Sequence, residues 1–180
     1  PFVVSNCTVT PLTLSSGPAS GSTFPPGVTT VSYASSGNVF EEDFSDNNAG
    51  WSLDAEWMIG PATTAACSSG GTGNDPGSDH SATSDNGVAG MVIGGCVSTA
   101  LHPFQYLTSP EIDVSTLSGA LTLTFWRHLH SDYIPYMQNH LQVFDGTNWV
   151  SIWSHTDQVA INDADWTFQC FDVTPYKNAQ

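Results

Sequence analysis

Asn139–His155 reads NHLQVFDGTNWVSIWSH. Apolar and polar residues alternate on both sides of Asp145 and Gly146, two turn formers. Alternation with a period of two sends successive side chains to opposite faces of an extended chain, so the stretch predicts a β-hairpin around Asp145–Trp153. Immediately upstream, ALTLTFWRHLH (Ala120–His130) alternates in the same way.

Working outward, QYLTSPEIDVS, AGMVIGG and DWTFQCFDVTPYKNAQ are further short runs of strand character, and no helical period is sustained over ten residues. Short strands separated by Gly, Pro, Asn and Asp predict an all-β protein, a sandwich or jelly roll running from Val39 to Gln180. Residues 1–38 differ in character. PFVV, TVTPLTL and TTVSYAS are β-rich runs parted by the turn-dense SSGPASGSTFPPG. Two or three such strands cannot build a core alone. The expectation is an extended N-terminal β-arm that donates a strand to an edge of its own subunit or of a neighbour.

Charge narrows the function. Seventeen acidic residues face only two basic ones, Arg127 and Lys177, giving a net charge of −15 that repels phosphate backbones and anionic membranes. Nucleic acid is excluded as a partner, and no apolar run is long enough to insert in a bilayer. Charged residues make up 11% of the chain, far below the roughly one quarter usual in globular domains, so solubility rests on hydroxyls and amides, as on secreted β-proteins. Cys7, Cys67, Cys96 and Cys170 are an even set without a CxxC pair, which favours disulfides and an oxidising, extracellular setting. Cys67 and Cys96 flank a long polar loop and are expected to pair, whereas Cys7 and Cys170 could pair within a chain or between chains.

Two segments resemble known families. Asn6–Cys7, the turn at Gly17–Gly27 and the TTVSY strand from Thr29 to Tyr33 resemble the second half of a hyalin repeat, an immunoglobulin-like adhesion module. EDFSDNNAGW (Glu42–Trp51), EWMIG (Glu56–Gly60), YLTSPEIDVS (Tyr106–Ser115), LTLTFWRHLH (Leu121–His130), DGTNWVSIW and WTFQCFDVTPY (Trp166–Tyr176) together resemble bacterial jelly-roll modules related to MAM domains. That resemblance implies adhesion, carbohydrate contact or an accessory role beside secreted hydrolases, often with structural Ca2+.

Carboxylate density points the same way. Glu41, Glu42, Asp43 and Asp46 crowd into six residues, and calcium gathers six to eight oxygen ligands from such loops. In related jelly rolls the ion lies near this opening strand, which makes Glu41 and Asp43 the first candidates. The competing reading is a solvated acidic edge. A second candidate site is the Gly-rich loop carrying Asn74, Asp75, Asp79, Asp85 and Asn86, although it lacks the EF-hand spacing. His128 and His130 share a strand face and His140 could approach across the hairpin, a possible zinc or copper set without an identifiable fourth ligand. Of the six tryptophans, Trp57, Trp126 and Trp153 are the candidates for stacking on sugar rings, while Trp51, Trp149 and Trp166 fall where the jelly-roll resemblance implies packing residues.

No nucleophile elbow, H-E-x-x-H, P-loop or dinucleotide fingerprint occurs. The expectation is a non-enzymatic, calcium-stabilised extracellular subunit of a fibre, sheath or adhesin that self-associates. Its rival is a carbohydrate-binding module of a secreted hydrolase.

Overall fold

The computed structural model describes residues 13–19, 23, 32–34, 38–67, 74–81 and 83–180. Its regular structure is almost entirely strand: β1 Thr13–Ser16, β2 Ser32–Ala34, β3 Ser52–Leu53, β4 Trp57–Pro61, β5 Gly87–Met91, β6 Leu107–Thr108, β7 Thr122–Arg127, β8 His130–Ser131, β9 His140–Phe144, β10 Trp149–Ser154, β11 Ile161–Asn162 and β12 Thr167–Asp172. One 3₁₀ turn at Thr174–Tyr176 follows. The all-β expectation therefore holds.

The strands pair antiparallel, and the pairs are nested. The turn at the centre is set by Asp145, whose Oδ1 accepts the Thr147 and Asn148 N–H groups at 2.8 and 2.7 Å. Gly146 follows at φ 92°, a conformation that favours glycine. From this turn β9 pairs with β10, then β8 with β11, then β7 with β12. Almost one register carries through all three, Phe144 opposite Trp149, Ser131 opposite Ile161 and Arg127 opposite Thr167. Residues 122–172 thus form one long hairpin, interrupted twice, of which the predicted Asp145–Trp153 unit is only the tip. In the preceding half, β3–β6 encloses β4–β5 in the same manner. In the arm, β1 pairs with β2, with a register shift between Leu14 and Ser16; the other strands expected there lie outside the described residues.

Alternation along the hairpin decides its faces. Leu123, Phe125 and Arg127 are half-buried on one side, and Phe125 stacks on Phe171 at 6.1 Å. Thr122, Thr124 and Trp126 lie on the other, where Trp126 is opposite Phe168. The buried apolar residues among the described ones are Ala62, Val88, Ile161, Cys170 and Val173.

One strand expectation fails. Phe40–Phe44 alternates in exposure, with Glu41 and Asp43 outward and Glu42 and Phe44 half-buried, yet it forms no ladder. Its side chains claim the donors a ladder would need: Glu42 Oε1 accepts the Phe44 N–H at 2.9 Å and Asp43 Oδ1 the Ser45 N–H at 3.0 Å. Short polar side chains compete with strand pairing in this way. The alternation arises from Glu42 Oε2 accepting the Trp51 indole N–H at 3.0 Å and Phe44 packing on Trp51 at 5.2 Å.

Candidate functional site

Chemistry-bearing residues gather where the long hairpin is interrupted. At the first interruption, Leu129 faces Asp163. The Asp163 N–H donates to the Leu129 carbonyl at 3.0 Å, and Asp163 Oδ2 accepts the Leu129 N–H at 2.9 Å. Arg127, the last residue of β7, donates to the same carboxylate from Nε at 3.0 Å and from Nη2 at 3.1 Å. The two side chains are 18% and 10% exposed, so the ion pair is largely withdrawn from water. A two-pronged guanidinium–carboxylate pair fixes orientation as well as charge. The Arg127 guanidinium also lies over the Trp153 ring, 5.4 Å from its centre.

At the second interruption, His155 follows β10 and is only 4% exposed. Its backbone N–H donates to Asn139 at 2.9 Å, and its Nε2 lies 2.9 Å from the Val159 carbonyl. A carbonyl only accepts, so Nε2 carries a proton, and the buried Nδ1 has no hydrogen-bond partner among the described residues. Residues 155–163 run beside Arg127 and border a half-open cavity of about 570 Å³. Its wall combines Arg127, His155 and Asp163 with Asp157, Gln158, Asn162 and the aliphatic Val159, Ala160 and Ile161. Ser131, fully buried beside this interruption, accepts from Asn139 Nδ2 at 2.6 Å and donates to the Asp132 carbonyl at 3.0 Å.

His128 and His130 do come together, their rings stacked 5.0 Å apart, with Trp166 edge-on to His128 at 5.7 Å. His140 does not join them: it packs edge-on against Phe104 at 4.9 Å. Burial, then the neighbouring His130, hold His128 below the ordinary imidazole value. Its proton is therefore taken up by the unfolded chain first as the pH falls below about 6.5. Stability should be unaffected by this group at neutral pH, decline as acid passes below about 6.5, and level off below the folded-state value. Thermal melts between pH 7 and 5 check this by comparing the chain with His128→Gln. The variant should show the shallower fall, and equal slopes would rule the linkage out.

The proposed calcium ligands accept hydrogen bonds from neighbouring backbone and side-chain donors. Glu41 Oε1 accepts from Asn38, Asp43 from Ser45, and Asp46 from the Asn48 backbone at 2.7 Å and from its side chain. Asp75 Oδ2 accepts the Gly94 N–H at 3.1 Å, Asp79 Oδ2 accepts from Ser81 and Thr83, and Asp85 accepts the Gly87 N–H at 2.9 Å. That last bond is the main cause holding Asp85 below the usual carboxylate range. Among the described residues no group of three or more His, Cys, Asp or Glu converges to hold a metal ion.

Instead, the polar loop is held by Asn86, at φ 58°. Its Oδ1 accepts the Asp79 N–H at 2.7 Å, and its Nδ2 donates to the Ala62 and Gly77 carbonyls at 3.1 and 3.3 Å. The expected Cys67–Cys96 disulfide is present, with Cα atoms 5.6 Å apart. Two contacts dock the loop onto the long hairpin: His80 stacks on Trp126 at 3.5 Å, and the Trp166 indole donates to the Ser78 carbonyl at 3.0 Å. Cys170 is disulfide-bonded, and Cys7 lies outside the described residues.

Of the three tryptophans expected to be free for sugar, Trp57 is tethered through its indole N–H to the Gln105 carbonyl at 2.9 Å. Trp126 has one face taken by His80, and Trp153 lies beneath Arg127. Trp149, expected to pack, is 55% exposed. Alternation could not separate Trp149 from Trp153, because four residues apart they share a face by period, and only the register shift between Ser151 and Trp153 parts them. The sequence reading also passed over His155 and the 155–163 loop. The available signal was Arg127, one of only two cations, since a withdrawn guanidinium requires a carboxylate near it. No helix among the described residues is long and apolar enough to cross a membrane. No protein-family model, curated protein or solved structure matches the chain.

Proposed function

We propose that this protein is a non-enzymatic, extracellular structural or adhesive module that associates with further copies of itself, as in a surface fibre, sheath or adhesin. The observation that carries this reading is the distribution of apolar side chains. Trp126, Phe168, Trp149, Phe104, Tyr106, Tyr133, Tyr136 and Met58 are all exposed by more than a third, while the largest buried apolar side chain among the described residues is an isoleucine. Contiguous exposed apolar surface marks interaction sites. Trp126 and Phe168 sit side by side on one strand pair with their centres 5.3 Å apart and their rings tilted by 58°, and both remain exposed for a second strand pair to cover. With only two basic residues in the chain, a second copy offers such a face apolar contact rather than salt bridges.

The nested antiparallel pairs support a jelly-roll sandwich, in which a long hairpin is curled over a second set of strands. Exposed strand edges support strand exchange, since unpaired N–H and C=O groups recruit another strand; residues 1–38 are the segment we assign to it. Calcium enters this reading as a counter-ion that lowers repulsion between copies each bearing a charge of −15. The Cys67–Cys96 bond supports an oxidising location.

Sedimentation velocity on the full chain, with and without calcium, tests the proposal. Species larger than a monomer should grow with protein concentration and with calcium. Trp126→Ser combined with Phe168→Ser should reduce them without altering the circular dichroism of the fold, and removal of residues 1–38 should change the assembly state. A monomer under every condition would refute it.

A further inference from the structure

We propose that the cavity beside Arg127 binds a neutral saccharide ring. The inference is independent of self-association and uses none of the tryptophans as a stacking platform.

Size comes first. At about 570 Å³ the cavity falls within the roughly 300–1,000 Å³ of small-ligand sites. Its floor is held in place rather than merely present. Arg127 is fixed from two directions, by the two-pronged contact with Asp163 and by the Trp153 ring beneath it. Asp163 is in turn fixed by the Leu129 N–H, and the Val159 carbonyl is held by the buried His155. Pre-positioned groups need not be ordered when a ligand arrives, which is how a small contact area gains affinity.

Charge and shape then select the ligand class. One guanidinium and two carboxylates, Asp157 and Asp163, leave the lining with a net negative charge, which disfavours phosphates, sulfates and carboxylates. The aromatic side chain of the wall, His155, is buried and bound through Nε2 to the Val159 carbonyl, and the other lining side chains are aliphatic or polar. What the wall does offer is mixed in character. Val159, Ala160 and Ile161 are its aliphatic residues, and Asp157, Gln158 and Asn162 are exposed polar ones at its rim. Most other acidic side chains of the chain cap local turns, among them Asp43, Asp46, Asp85, Asp113 and Asp145. The rim side chains of Asp157, Gln158 and Asn162 make no hydrogen bond to any described residue. A pyranose is mixed in the same way: its C–H groups suit aliphatic side chains, and its hydroxyls both donate and accept. A carboxylate accepts from such hydroxyls, and the two amides do both.

The test is a ¹H–¹⁵N NMR titration of the full chain with the methyl glycosides of glucose, galactose, mannose and N-acetylglucosamine, and with glucuronic acid. At least one neutral glycoside should shift the amides of residues 155–163 and the Arg127 Nε–H along a saturable curve in the millimolar range. Glucuronic acid should bind more weakly than glucoside. The surface double variant Gln158→Ala/Asn162→Ala should lose at least tenfold in affinity while keeping its melting temperature. Absence of saturable shifts with all four glycosides, shifts confined to another surface such as that around Trp149, or unchanged affinity in the double variant would each overturn the proposal.

Discussion

Gly87→Ala should lower the melting temperature by roughly 6–12 °C, the equivalent of about 3 kcal/mol in a chain of this size. Gly87 opens β5 and is buried. A β-carbon there would lie 2.4 Å from the Phe44 carbonyl oxygen and 2.6 Å from the Phe44 carbonyl carbon and the Ser45 nitrogen. All three are backbone atoms, so no rotamer change relieves the overlap. The opposing backbone is itself held: Phe44 adopts φ 57°, its N–H and that of Ser45 are bound to the carboxylates of Glu42 and Asp43, and its ring packs on Trp51. Alanine would stiffen the unfolded chain and recover at most about 1 kcal/mol, too little to offset the clash. Gly60, opposite Val88 on the neighbouring β4, supplies the control, because a β-carbon added there meets nothing within 4 Å. Gly60→Ala should melt close to the unaltered chain, and a comparable loss in both variants would show that Gly87 has no special role.

Replacing Cys67 and Cys96 together by alanine should cost about 3–4 kcal/mol, the chain-entropy value for a cross-link across a separation of 29 residues. The enclosed segment contains β5 and the polar loop, so the unfolded chain regains much freedom when the bond is removed. Weaker ties remain in the folded state: the Ala66–Asn74 bridge, the Asp75 carboxylate on the Gly94 N–H, the Asn86 contacts and the His80–Trp126 stack. These should keep the fold intact, so urea unfolding should show a lower midpoint with a single transition. An unchanged midpoint would mean that those contacts already restrict the unfolded chain.

The acidic segments show why sequence reached the residues but not their roles. Glu41, Glu42, Asp43 and Asp46 are legible as a carboxylate cluster, and the same composition serves a calcium loop or a series of capped turns. The difference lies in where the neighbouring backbone N–H groups point, which depends on the positive φ of Phe44 and on the position of Trp51. Likewise Asn74, Asp75, Asp79, Asp85 and Asn86 stand out as a polar loop in need of anchoring. Only the folded chain shows Asn86 and two distant aromatic residues, Trp126 and Trp166, anchoring it.

By itself the sequence determined that the protein is all-β, that Asp145–Trp153 turns back on itself and that Cys67 and Cys96 close the long polar loop. These are local properties: the period of alternation, turn chemistry at Asp145 and Gly146, and cysteines at the borders of one loop. Tertiary structure alone decided that residues 122–172 are a single interrupted hairpin, because that depends on Arg127 meeting Thr167 and Asp163 across 40 and 36 residues. It likewise decided which indoles are covered and that the 155–163 loop runs beside Arg127. Periodicity states which side chains share a face; it carries no information on what that face meets, and the cavity exists only where the two arms of the hairpin part.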